Sequence, residues 1–258
     1  MNEIERDTLL AEIRVLLKPI LCTSGSVFYS GLKTLEGKKD FYLMGLNPGG
    51  DPDTMKDETI EKSLLDWKGE KADWSAYCDQ YWGEKYPYLE EEKGNFSHQR
   101  GVKTFCSKCL GTDVRMIPCA NAIFKRSKKV KDLPKDSELD RICWQVHQLL
   151  LSKVQPKYII CLGHGQASSF DRLKGEKCLS VAGSCEERAF KMPSGKKNWY
   201  IRWFKAAQIQ NPSPGLERLI CVIGVPHPSW FALGADWFSK GWGMLPPDVI
   251  PLKGKAGE

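Results

Sequence analysis

Short apolar runs that stop at polar turns constrain this chain more than any other feature. Residues 41–46, 158–163 and 219–225 are each nearly continuous in large apolar side chains and bounded by turn formers. Such a run, without alternation, suits a strand buried on both faces. Residues 114–120 read as a further strand, with Pro118 marking a strand end or bulge. Residues 199–204 read as an edge strand. Helical periodicity fills the intervals. Residues 3–18 carry Leu9, Leu10, Ile13, Leu16 and Leu17 on one face, and residues 136–152 carry Leu139, Ile142, Cys143, Val146, Leu149 and Leu150. Further helices are expected from about residue 165 and after residue 229 through 237. Strands alternating with helices imply a parallel sheet covered on both faces. The expected fold is a single α/β domain over residues 1–258, three-layered α/β/α, with a central four-stranded, mostly parallel sheet. Working groups in such sheets gather beyond the carboxyl ends of the strands. Asn47, Asn121, His164 and His227 all fall there.

Residues 51–110 break this rhythm. They are rich in aromatics, among them Trp67, Trp74, Tyr77, Tyr81, Trp82, Tyr86, Tyr88, Phe96 and Phe105, and read as helical pieces around a long functional loop. The 41% of hydrophobic residues supply a core, and nine Trp with 27% charged residues argue against disorder. No run approaches the roughly 18 apolar residues of a membrane span. The N-terminus is amphipathic, unlike a signal peptide. A cytoplasmic monomer without a membrane partner is expected. Ten Cys, most of them scattered, suit a reduced compartment rather than a disulfide framework. Cys106 and Cys109, with Cys119 beyond, have a metal-like spacing but lack a second close pair. No cofactor is expected, with zinc or an iron–sulfur cluster at Cys106 and Cys109 as the minor alternative. The net charge is +6. Lys125, Arg126, Lys128, Lys129 and Lys131 form one basic cluster, and Lys191, Lys196 and Lys197 another. Each reads as a solvated loop or as a phosphate-contacting rim.

Gly45-Leu46-Asn47-Pro48-Gly49-Gly50 alone would be a plain turn. It resembles the first motif, Gly-x-Asn-Pro-Gly, of the mismatch-specific and single-strand-selective branches of the uracil-DNA glycosylase superfamily. His227-Pro228-Ser229, after another buried strand, resembles that superfamily's second motif. Between them, Asn121 in Ala120-Asn121-Ala122-Ile123-Phe124-Lys125-Arg126-Ser127 is similar to a strand-end Asn that reads the base edge. Residues 158–167 resemble the strand and glycine turn that follow. Each motif is short, but their order and strand-end placement agree over roughly residues 38–240.

The resemblance implies a DNA glycosylase that hydrolyses the N-glycosidic bond of a flipped uracil or modified pyrimidine. Asn47 would position the attacking water, and His227 would donate a hydrogen bond to a carbonyl of the departing base. Asn121, Gly45, Leu46 and Phe96 would bind the base, while Ser229, Trp230, Lys125, Arg126 and Lys128 would contact DNA. The chemistry fits: cleavage passes through an oxocarbenium-like sugar, and a donor aimed at the leaving base stabilises charge as it forms. An amide orients water but is no strong base. Asp51 or Asp53 could assist or merely cap the turn. Flipping needs a wedge and a stacking surface. Trp230, Phe231 and Leu233 read either as that wedge or as helix packing, and Phe96, Phe105 and Tyr88 are the stacking candidates.

After Asn47 the chain departs from well-known branches, running Pro-Gly-Gly-Asp-Pro-Asp-Thr-Met. Two glycines and the enlarged aromatic region suggest room for a bulky 5-substituent, and so a role in repair or against modified phage DNA. The rival reading is a non-catalytic nucleic-acid-binding module on the same fold. A small-molecule hydrolase is disfavoured, because the chain has neither a Gly-x-Ser-x-Gly elbow nor a phosphate-cradling loop. Of the four His, His98 has no assigned role, and His147 reads as a helix-surface or core residue.

Overall fold

The computed structural model describes residues 2–82, 92–133, 137–175, 180–191, 198–207, 219–233 and 235–249. Six strands form one sheet: β1 (Phe41–Gly45), β2 (Cys119–Asn121), β3 (Tyr158–Leu162), β4 (Ser180–Lys191), β5 (Asn198–Ala207) and β6 (Leu219–Val225). Their order is β2-β1-β3-β6-β5-β4. The first four run parallel, while β5 and β4 continue the sheet antiparallel. The α/β class is as expected, but the sheet is mixed and six-stranded, not four-stranded and mostly parallel. β4 escaped sequence reading because it is an edge strand. Glu186, Glu187 and Arg188 face solvent instead of forming an apolar run, and charged side chains are a usual guard on an edge. β5 lies inside that edge, burying Trp199, Ile201 and Trp203 on one face and Phe204 and Ala206 on the other.

β2 is also shorter than the expected 114–120. Asp113 accepts from the Arg115 backbone N–H at 2.8 Å and caps a 3₁₀ turn over Val114–Met116. Pro118 then has no N–H to give a ladder. The outer edge of β2 is closed by the 24–30 segment, where the Tyr29 N–H donates to Cys119 O (2.9 Å) and the Cys119 N–H to Ser30 Oγ (2.9 Å).

Helices cover both faces. α1 (Glu3–Leu16), α2 (Ile60–Gly69), α5 (Ser137–Val154) and α6 (Ser169–Lys174) pack with Tyr42, Met44, Ile159, Cys161 and Val222. On the other face α4 (Ser97–Phe105), α7 (Asp236–Trp242) and Tyr77 of α3 (Ala76–Asp79) pack with Leu43, Ile160, Leu162 and Ile223. α1 stops before residue 18 because Pro19 disfavours helical backbone at the residue ahead of it. α5 stops where Gln155 turns to a φ of 44° ahead of Pro156. α7 begins only at Asp236, since residues 227–233 are spent on turns rather than on the expected helix. No described helix is long and apolar enough to cross a membrane.

The chain leaves β1 toward β2 on one side, whereas it leaves β3 toward β4, β5 and β6 on the other. In open α/β sheets ligands bind beyond the carboxyl ends of the strands, near such a reversal of direction.

Candidate active site

A cleft of about 810 Å³ lies at the carboxyl ends of β1 and β2, lined by Asn47 after β1 and Asn121 at the end of β2. The Asn47 amide is locked. Its Nδ2 donates to Pro48 O (2.8 Å) and to Ser127 Oγ (3.0 Å), while Ser127 Oγ–H donates onward to Lys129 O (3.1 Å). Because Pro48 O can only accept, the amide can point only one way. Its Oδ1 accepts no hydrogen bond among the described residues and stays available to a water proton.

Asn121 presents the opposite function. It is 6% exposed, and its Nδ2 is buried without a hydrogen-bond partner among the described residues. Its side chain lies across Gly45, where a Cβ would stand 2.1 Å from Oδ1; Gly45 is small so that Asn121 can reach the cleft. The Tyr29 phenol also faces the Asn121 amide, and burial raises its pKa. Buried His147 of α5 holds the strand end from behind: Nε2–H donates to Asn121 O (2.9 Å), and Nδ1 accepts from Tyr42 Oη (3.1 Å). Burial lowers its pKa to about 4, so it stays neutral. His147 is thus a core residue with a task, supporting the Asn121 backbone.

His227 follows β6. Its Nδ1 accepts from the Ser229 N–H at 3.3 Å, which leaves the proton on Nε2. Desolvation lowers its pKa, favouring the neutral ring. His227 does not itself line the cleft, but its ring centroid is 5.0 Å from that of His98, which does. Ser229 lines the cleft too. His164, the fourth strand-end residue, packs instead near Gly224 and Phe170 on the α6 face.

The other expected contacts divide. Phe96 lines the cleft and is exposed at the start of α4. Leu46 does not line it and packs on the core. Phe105 is fully buried against Phe238 and Trp242, which removes it as a stacking surface. Tyr86, Tyr88, Lys196 and Lys197 lie outside the described residues. Trp230 is 84% exposed, whereas Phe231 is partly buried and Leu233 is core, so only Trp230 is free to act as a wedge. Gly49 borders open space, while Gly50 holds a φ of +103°.

Arg126, expected at a phosphate rim, lines the cleft but is only 9% exposed, and its guanidinium is engaged internally. Its guanidinium donates to Ser24 Oγ (3.0 Å), to Gly49 O and to Glu58 (2.9 Å), clamping the Asn47 loop. Lys125 is half-buried beside Gly25, and Lys128 is exposed but paired with Asp51 at 3.1 Å. Asp51 also accepts from the Asp53 N–H, and these two bonds, the backbone one first, lower its pKa; its place is turn capping. Cys106 is buried, and Cys109 contacts Leu233 O and Ser239 Oγ. Burial raises both thiols, that of Cys109 to about 11.

Sequence reading missed Phe28, Tyr29 and His98, which line the cleft, and Ser127, which holds Asn47. Ser127 ends the 120–127 segment that follows β2, and its proximity to Asn47 depends on the fold. Phe28 and Tyr29 lie in a segment without periodicity, and His98 lies on a helix remote in sequence from every strand end. The chain matches no protein-family model and no curated protein.

Proposed function

We propose that this protein is a monofunctional DNA glycosylase of the uracil-DNA glycosylase type, acting on a flipped uracil or modified pyrimidine. One observation carries the reading: two strand-end amides face one cleft with complementary free functions. Asn47 offers an acceptor with its donors tied down, and Asn121 offers a buried donor that has no hydrogen-bond partner among the described residues. A pyrimidine supplies the carbonyl that the Asn121 donor needs, and a water supplies the proton that Asn47 Oδ1 would accept.

In this mechanism the N1–C1′ bond breaks first, and its electron pair moves into the base, onto the carbonyl oxygens. His227 Nε2–H donates to one of them, strengthening as charge develops. Water held by Asn47 adds to C1′ and releases its proton to solvent, since no amide can retain it. The product is an abasic site and free base. The cleft is roomier than a bare pyrimidine needs, which supports a substituted base. Exposed Trp230 is the candidate wedge.

The test is a panel of labelled oligonucleotides, single- and double-stranded, containing uracil, thymine mismatches, hypoxanthine and 5-substituted cytosines. Abasic-site formation lost in both Asn47→Ala and His227→Ala, with DNA binding retained, is the expected result. Salt-sensitive binding without cleavage of any substrate would favour the binding-module reading.

A further inference from the structure

We infer that His98 is a second histidine of the site, a positioning residue that holds the ring of His227 through Ser229. The contacts form a chain. His98 Nδ1 lies 3.0 Å from Ser229 Oγ, and the Ser229 N–H donates to His227 Nδ1 at 3.3 Å. One serine therefore ties the two rings together, by its side chain to one and its backbone to the other. The rings also touch directly, with centroids 5.0 Å apart and planes at 58°.

His98 is itself held. It stacks on Tyr77 (6.2 Å, 15°) and packs against Trp82 (5.7 Å). Gln99, fully buried beside it, donates from Nε2 to Ala76 O and Gln80 O (2.8 Å each) and accepts from the Phe96 N–H (3.0 Å), pinning the first turn of α4. A second contact shows that α4 is fitted to the histidine turn. Gly101 lies one turn after His98, and a Cβ there would meet Pro228 O at 3.3 Å and Pro228 Cβ at 3.4 Å. The helix thus lies directly on His227-Pro228-Ser229. The aromatic-rich region buttresses the second motif, and His98 is its polar contact. Burial foremost, and then the neighbouring His227, lowers the His98 pKa to about 3, so it acts as a neutral hydrogen-bonding group.

The consequence for His227 is a fixed tautomer. With Nδ1 engaged as acceptor, the proton remains on Nε2, the atom that would face the leaving base. This catalytic consequence rests on the proposed glycosylase activity; the positioning itself does not.

The first readout is therefore independent of activity: ¹⁵N resonances of the His227 ring in the full chain. The wild type and His98→Asn, which keeps a polar atom near the Nδ1 position, are expected to show the neutral Nε2–H form. His98→Phe, which keeps the stacking, and Ser229→Ala, which keeps the backbone N–H but frees it from His98, are expected to raise the population of the other tautomer. The second readout is cleavage. His98→Phe and Ser229→Ala should each lower kcat about 10–100-fold with KM little changed, as misplacement does. The double variant should be no worse than either single one, and His98→Asn should recover most of the rate. An unchanged His227 tautomer in both His98→Phe and Ser229→Ala overturns the inference, as do losses that multiply in the double variant. If the wild type cleaves nothing, the glycosylase reading fails, and the ¹⁵N result alone decides on His98.

Discussion

Arg126→Ala separates a structural clamp from a DNA contact. The guanidinium leaves three partners behind, and their fates differ. Glu58 has a half-exposed side chain and rehydrates, so that pair is worth at most about 1 kcal/mol. Gly49 is exposed, and its carbonyl can find water. Ser24 Oγ is buried but still donates to Met55 O at 2.8 Å. What is lost is the net worth of charge-assisted bonds, roughly 1.5–3 kcal/mol apiece before rehydration, together with the packed side-chain stem. The expected destabilisation is about 2–3 kcal/mol, far below the full cost of stranding a buried charge. For a chain of this size that lowers Tm by about 4–12 °C. Urea denaturation followed by tryptophan fluorescence measures it. DNA binding against salt supplies the discriminating second number. A clamp leaves the slope of log K against log salt unchanged, whereas a phosphate contact contributes about 0.9 to it. Stability within about 0.5 kcal/mol of wild type, the scale of an ordinary surface change, together with a slope shallower by about one, would refute the reasoning.

Acid should destabilise the fold through His147, whose pKa falls from about 6.5 unfolded to about 4 folded. This stabilisation is fully present above pH 6.5 and is lost as pH falls through 4, amounting to about 3 kcal/mol. His147→Gln should flatten the stability profile between pH 7 and 4 in chemical denaturation, and an unaltered slope would sink the assignment. At the turn after β6, Trp230→Ala should change stability by no more than about 0.5 kcal/mol, and under the proposed function it should weaken binding to duplex containing a target base. Leu233→Ala, in the core, should cost about 2–5 kcal/mol; equal stabilities of the two variants would show that the turn is packed differently.

How much of this was legible in the sequence depended on range. The strands β1, β3 and β6 are continuous apolar runs because they are buried on both faces, and burial of that kind leaves a local mark. Asn47 and Asn121 line one cleft because parallel strands deliver their ends to one side of a sheet, whereas His164 and His227, at strand ends by the same rule, do not line it. β4 left no such mark, since an edge strand facing solvent is written in charged residues. Arg126 could not be told from its neighbours Lys125 and Lys128, because nothing local distinguishes a cation folded inward onto Gly49 and Glu58 from one left in water. The same limit separates Trp230 from Leu233, three residues apart with opposite exposure. The chain alone therefore determined the α/β class and the strand-end residues, through local periodicity and turn chemistry. Only the tertiary structure decided which amide function of Asn47 is tied down, that Asn121 has a buried donor without a partner among the described residues, and that His98 meets His227. Those are contacts between segments remote in sequence, set by how helices and loops pack beyond the sheet rather than by any residue's neighbours.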